Sequence, residues 1–187
     1  KLPLQAKLQS SDLRSTAFLL KSVDVLKEAG VWKNLKDHAE QLKTMRICDA
    51  GDPEKALQET VFNSREIGLP YFGYNIPNSI AKKSILSVIN SLGSSKIMFG
   101  IKAVGLINRI DKSIIKLSDG KMISAKLIIA ADGKHSDIRF LSSIKIKKWD
   151  NCQDAIACMV THENDHEGVS IEILETGGPC TLVPLKK

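Results

Sequence analysis

Aromatic side chains are scarce, at 5% of the 187 residues. With no nucleic-acid motif beside them, this scarcity argues against a base-binding surface despite a net charge of +6. The lysines are scattered, as at Lys82-Lys83, Lys145, Lys147-Lys148 and Lys186-Lys187. Such a distribution suits a solvated surface with a modest attraction to anionic lipid. No apolar run approaches the roughly 18–20 residues of a membrane-spanning helix, and no signal-peptide pattern opens the chain. Cys-x-x-Cys is also missing. Cys48, Cys152, Cys158 and Cys180 read as small buried or half-buried thiols of a reducing compartment. His162 and His166 stand at i and i+4, a spacing that suits a metal on a helix. Their segment lies between strand candidates and reads as a polar turn, so no metal is expected. No Ser-His-Asp set or carboxylate pair stands out, and no catalytic base is evident.

What the chain has is enough apolar material for a core, 43% of its residues, and a clear order of elements. Leu13 to Phe18 leads into a helix over about Leu20 to Ala29, with Leu19, Val23 and Leu26 on one face and Gly30 as its stop. Trp32 to Leu42 is a shorter amphipathic piece that turns Trp32, Leu35 and Leu42 inward. Thr44–Asp49 and Thr60–Asn63 read as strands around an Asp52-Pro53 turn, and Tyr71–Ile76 as a further extended piece. A helix starts at Pro77-Asn78 and runs to about Leu92, with Ala81, Ile85, Val88 and Leu92 on one face and Gly93 as its end. Strands are then expected at Ile97–Phe99, Ala103–Ile110, Ile114–Leu117 and Met122–Ala131. The last two are joined by a Ser118–Lys121 hairpin turn. Trp149–Thr161, Val169–Glu175 and Cys180–Leu185 are the remaining strand candidates.

The most informative stretch is Ala125 to Arg139. An Ile-rich run reads as a buried strand. It ends in Asp132-Gly133, and Ser136 sits where a helix cap belongs. A strand, a tight turn and a helix start make a common ligand-holding corner in α/β proteins. Asp132 could accept a ribose or ribitol hydroxyl, and Gly133 lets a backbone come close. Asp-Gly alone is equally the commonest two-residue hairpin turn.

The wider pattern Asp-Gly-x-x-Ser-x-x-Arg after "Ile-Ile-Ala-Ala" resembles the second flavin fingerprint of FAD-dependent aromatic hydroxylases, the class of para-hydroxybenzoate hydroxylase. Leu13 to Trp32 resembles the arginine-plus-helix segment of that class, and Gly73 to Asn78 also resembles it. Trp149 to Leu185 is similar to the ubiquinone-biosynthesis branch. The resemblance implies an α/β (mixed α+β) fold, with an incomplete Rossmann-like FAD/NAD(P)-binding domain and part of a mixed-sheet substrate domain. The expected division is 1–43 with 77–147 for the first, and 44–76 with 148–187 for the second.

For function, the resemblance implies a fragment of a flavin monooxygenase that hydroxylates a (polyprenylated) phenol, with FAD and NAD(P)H as cofactors and O2 as oxygen source. The expected cofactor contacts are Arg14, Asn78, Asp132, Gly133, His135 and Arg139, with Gly178, Pro179 and Pro184 near the substrate. Read without it, Arg14 is a surface residue, Asn78 is a helix cap, and Arg139 pairs with Asp137 or another carboxylate. The expected location is cytoplasmic, with peripheral attachment at the inner membrane or to a ubiquinone-synthesis complex as an option. No Gly-x-Gly-x-x-Gly occurs, nor the later Gly-Asp motif of the class. With Lys1 in first position, these gaps suggest an internal piece of a longer enzyme. The alternative is a flavin-free remnant that acts only as a binding or assembly module.

Overall fold

The computed structural model describes residues 12–51, 57–175 and 177–186. Two compact units are present, Lys1–Ser95 with Ile156–Lys187, and Lys96–Ala155.

The first unit holds two sheets. Strand β1 (Ser15–Leu19) runs directly into helix α1 (Leu20–Glu28). The sequence predicts the helix but not the strand before it. Leu19 is consequently strand end and helix cap, exposed rather than on the buried face with Val23. Gly30 follows with φ +70°, as expected of a helix stop. Trp32 to His38 forms two 3-10 turns instead of an amphipathic helix, and β2 (Glu40–Leu42) follows. The inward residues are nonetheless those predicted: Leu35 and Leu42 are buried, and Trp32 packs on the core.

β3 (Thr44–Asp49) and β4 (Gln58–Asn63) pair antiparallel; the predicted Asp52-Pro53 turn lies outside the described residues. β5 (Gly73–Pro77) lies between β1 and β2, antiparallel to both. Helix α2 (Asn78–Ser91) then begins where its sequence predicts. Ala81 is buried and Val88 packs on the core, but Ile85 and Leu92 stay exposed. Val31, Leu35, Ala39, Ile76 and Ala81 make up the core between sheet β1-β5-β2 and the two helices. The second sheet has the order β10-β9-β3-β4, with β9 (Val169–Leu174) parallel to β3 and β10 (Cys180–Leu182) antiparallel to β9.

The second unit is an antiparallel meander of β6 (Ala103–Asn108), β7 (Ser113–Leu117) and β8 (Met122–Ala125), followed by the short helix α3 (Asp137–Leu141). The predicted hairpin turn closes with Leu117 N–H donating to the Lys121 carbonyl at 2.8 Å. Two predicted strands, 97–99 and 149–161, have no ladder among the described residues, and the strand predicted over Met122–Ala131 stops at Ala125. The run expected to be buried is open to solvent, with Leu127 75% and Ile129 81% exposed. Apolar β-branched sequence makes a strand only where another strand satisfies its N–H and C=O groups, and none does so among the described residues. The cysteines also differ from expectation: Cys48 is buried, while Cys152, Cys158 and Cys180 are exposed. No helix among the described residues is long and apolar enough to cross a membrane.

Candidate functional site

Two clusters hold the predicted cofactor contacts, one in each unit. The first forms where β1 enters sheet β1-β5-β2 and α2 leaves it. The β1–β5 register pairs Ser15 with Pro77 and so sets Arg14 beside Asn78. The Asn78 N–H donates to the Arg14 carbonyl at 3.0 Å. The Thr16 hydroxyl donates to Asn78 Oδ1 at 2.6 Å, across 62 residues of sequence. Asn78 is therefore the first residue of the helix rather than its cap, which is Pro77. With its oxygen held by Thr16, the amide has N–H groups to offer a ligand.

The Arg14 guanidinium lies outward and forks onto Asp12, Nε at 2.8 Å and Nη2 at 3.1 Å. Lys82, one turn along α2, donates to the same carboxylate at 2.7 Å. These two cations, Arg14 first, hold the Asp12 carboxyl well below the usual carboxylate range. Asp12, Leu13, Arg14, Lys82 and Ala157 line an open depression of about 450 Å³. Asp12 and Lys82 were missed in the sequence, where Lys82 reads as one of many surface lysines. The available signal was an acid two residues before the arginine and a base one helical turn after Asn78.

The second cluster is the Asp132 corner. Asp132 Oδ1 accepts the Ser136 hydroxyl and Oδ2 accepts the Ile138 N–H at 3.1 Å. Ser136 is buried and caps α3 as predicted, its Oγ accepting the Arg139 N–H at 3.0 Å. These bonds, Ser136 first, hold the Asp132 carboxyl below its ordinary value. Gly133 has φ +85°, and a Cβ there would meet nothing within 4 Å. Glycine is thus required by backbone conformation, and the side it presents is open. His135 is exposed. Arg139 Nη2 donates to the Lys134 carbonyl at 2.8 Å, closing the loop over itself. Among the described residues it makes no ion pair with Asp137.

Near the end of the chain, Gly178 and Pro179 are exposed and Pro184 is buried. The Pro184 carbonyl accepts from Asn75 Nδ2 at 2.9 Å, which ties the chain after β10 to the middle of β5. His162 and His166 have ring centroids 6.3 Å apart, and His166 Nε2 lies 3.1 Å from the Leu185 carbonyl.

The family described as "FAD binding domain" matches residues 5–187. The chain is similar to the ubiquinone hydroxylase UbiL of Rhodospirillum rubrum, 27% identical over 93% of this chain and 39% of that protein. It is equally similar to the 3-demethoxyubiquinol 3-hydroxylase of Escherichia coli, 27% identical over 93% of this chain and 44% of the relative. The chain thus spans about two fifths of the length of these curated relatives. Among solved structures it resembles Klebsiella pneumoniae HpxO complexed with FAD and uric acid, with a TM-score of 0.62 and 15% identity, over 92% of this chain and 44% of that one. That likeness speaks for the fold, a partial FAD-binding fold of mixed α/β type.

Proposed function

This chain belongs to the FAD-binding domain family, and on that premise we propose that it is part of a flavin monooxygenase that hydroxylates a (polyprenylated) phenol in ubiquinone biosynthesis, with NAD(P)H and O2. The observation that carries this reading is the latch between Arg14 and Asn78, which brings two expected flavin contacts to the same edge of one sheet. The named activities of the ubiquinone-hydroxylase relatives support the substrate class.

The residues present fit an anionic dinucleotide. In one unit Arg14 lines an open depression and Asn78, latched to its main chain, has amide N–H groups to offer; in the other, taken by itself, Gly133 presents an unobstructed backbone. FAD, once bound, would supply the redox chemistry. The chain's own residues bind and orient. Arg14 takes an anionic group with its planar fork. Asn78 donates from its amide, and Asp132 fixes the Gly133 turn through its bonds to Ser136 and Ile138. His135 and Arg139 would contact the nicotinamide nucleotide. On this reading residues 1–43 and 77–147 serve the cofactor, and 44–76 and 148–187 serve the substrate. Sheet β10-β9-β3-β4, drawn wholly from the second set, supports that division, while β5 of the same set completes sheet β1-β5-β2. Gly178, Pro179 and Pro184 then border the substrate, and association with anionic membrane or a synthesis complex would deliver a polyprenylated ring.

The test is the natural full-length protein. It is expected to be yellow, to release FAD on denaturation and to oxidise NAD(P)H when offered a prenylated phenol. A colourless protein with no released flavin overturns the proposal. The second reading, a flavin-free binding module, is favoured by the exposed apolar run at Leu127 and Ile129. Titrating this chain with FAD separates the two, because saturable quenching of flavin fluorescence contradicts the module.

A further inference from the structure

We infer that residues 140–149 form a docking surface for an anionic lipid bilayer. The inference rests on the proposed function only for why a bilayer is met at all, since a polyprenylated phenol partitions into one. The surface itself follows from charge and exposure.

Charge is unevenly shared along this chain. Between Lys96 and Ala155 stand twelve lysines and arginines against six aspartates and no glutamate. That unit therefore carries the whole net charge of +6, and the rest of the chain is balanced. Within it, Lys145, Lys147 and Lys148 follow one another with no acid among them, and all three are exposed. Among the described residues none of the three takes part in an ion pair. The next acid, Asp150, is engaged by the Cys152 N–H at 2.9 Å. Near an anionic leaflet each cation of such a cluster adds to the attraction.

Apolar side chains are interleaved with these cations. Phe140 is 83% exposed, Ile144 61%, Ile146 48% and Trp149 75%. Phe140 lies on α3. Ser143, with φ 55°, turns the chain, and the order Ile-Lys-Ile-Lys-Lys-Trp then runs without a ladder. The mixture decides what fits. A further protein element would cover the isoleucines and the tryptophan, but it would also strip water from the lysines between them, at a large cost. A bilayer interface suits both kinds of side chain. Its phosphates meet the ammonium groups, its upper acyl region takes Phe and Ile, and tryptophan favours the boundary. The run 127–131 of the same unit, Leu-Ile-Ile-Ala-Ala, is different because it holds no charge. That composition asks for a neighbouring strand and is no part of the surface.

The chain carries its own reporter. Of its two tryptophans, Trp32 packs on the core and Trp149 is in solvent. The difference between wild type and Trp149→Phe therefore isolates the emission of Trp149. Vesicles of equal parts phosphatidylcholine and phosphatidylglycerol should shift that emission to the blue and sediment the chain. Phosphatidylcholine alone should bind far less, and salt should weaken the anionic binding. Lys145→Gln, Lys147→Gln and Lys148→Gln together should weaken it by about fivefold for each lysine removed. Lys21→Gln, Lys33→Gln and Lys36→Gln, at exposed positions of the first unit, remove as much charge and should leave it nearly unchanged. An equal loss in the two triple variants overturns the inference, as does Trp149 emission that anionic vesicles do not move. Trp149 emission that is already blue in the natural full-length protein without lipid means that further chain covers the segment, and it overturns the inference too. Every substituted lysine is exposed, so folding is not at stake, and circular dichroism checks it. The readout involves no flavin. Lipid binding by a full-length protein that releases no FAD sustains the surface and refutes the flavin reading; a yellow, active protein indifferent to anionic vesicles does the reverse.

Discussion

Gly73 and Asn75 stand on one strand and are constrained in different ways. A Cβ at Gly73 would fall 2.2 Å from the Phe18 carbonyl oxygen and 2.8 Å from Leu19 Cα, both main-chain atoms. Backbone in the middle of a sheet cannot retreat, so Gly73→Ala should cost about 3 kcal/mol, read as a lower urea midpoint. Asn75 is 1% exposed, and its amide satisfies the Pro184 carbonyl. Asn75→Ala leaves that carbonyl without its donor and should cost about 1–3 kcal/mol. Proteolysis should then nick residues 183–186 faster while leaving the β1–β5 pairing intact. The sequence marks neither residue for these roles. Gly73 reads as part of an extended piece, and the partner of Asn75 lies 109 residues away, beyond any local pattern.

At the scale of elements, what could be read was what local chemistry decides. The α1 helix follows from its apolar spacing and from Gly30. The corner from Asp132 to Arg139 follows from Ser136 at the cap and Asp-Gly before it, and the structure bears out that cap. Ser136→Ala should therefore fray α3 at a local cost of about 1 kcal/mol. It should also let the Asp132 carboxyl rise toward its ordinary value, observable by NMR titration of that side chain. Elements that depend on distant partners were misread. Leu13 to Phe18 gives no hint that β1 has β5 as its neighbour, whereas 126–131 has the composition of a strand and, among the described residues, no strand beside it. The 149–161 segment fails for the same reason, and its Trp149 and Ile156 remain exposed. Of the site, Arg14 and Asn78 were legible through a family resemblance; Asp12 and Lys82 emerge only once β1 and α2 are brought together.

For the whole molecule, acid is the expected weakness. Glu59, paired with Arg46 across β3 and β4, and Asp132 both have carboxyls lowered in the fold, Glu59 chiefly by its hydrogen bond from Arg46. A carboxyl depressed on folding stabilises fully above its unfolded value and loses that contribution as pH falls through the folded one. Stability should be level through neutrality and decline below the ordinary values of 3.8 and 4.5. Arg46→Gln should flatten part of that decline in a circular-dichroism acid titration. Apolar side chains left in solvent, among them Ile129, Phe140 and Trp149, should bind a hydrophobic dye at neutral pH. One architectural detail bears on how the molecule comes into being. Because β3 has β9 as its parallel neighbour, a ribosome must emit the chain as far as Leu174 before that seam can close. The early hairpin meanwhile waits with one flank unzipped, which makes nascent-chain chaperoning, rather than final stability, the step on which yield in the cell should depend.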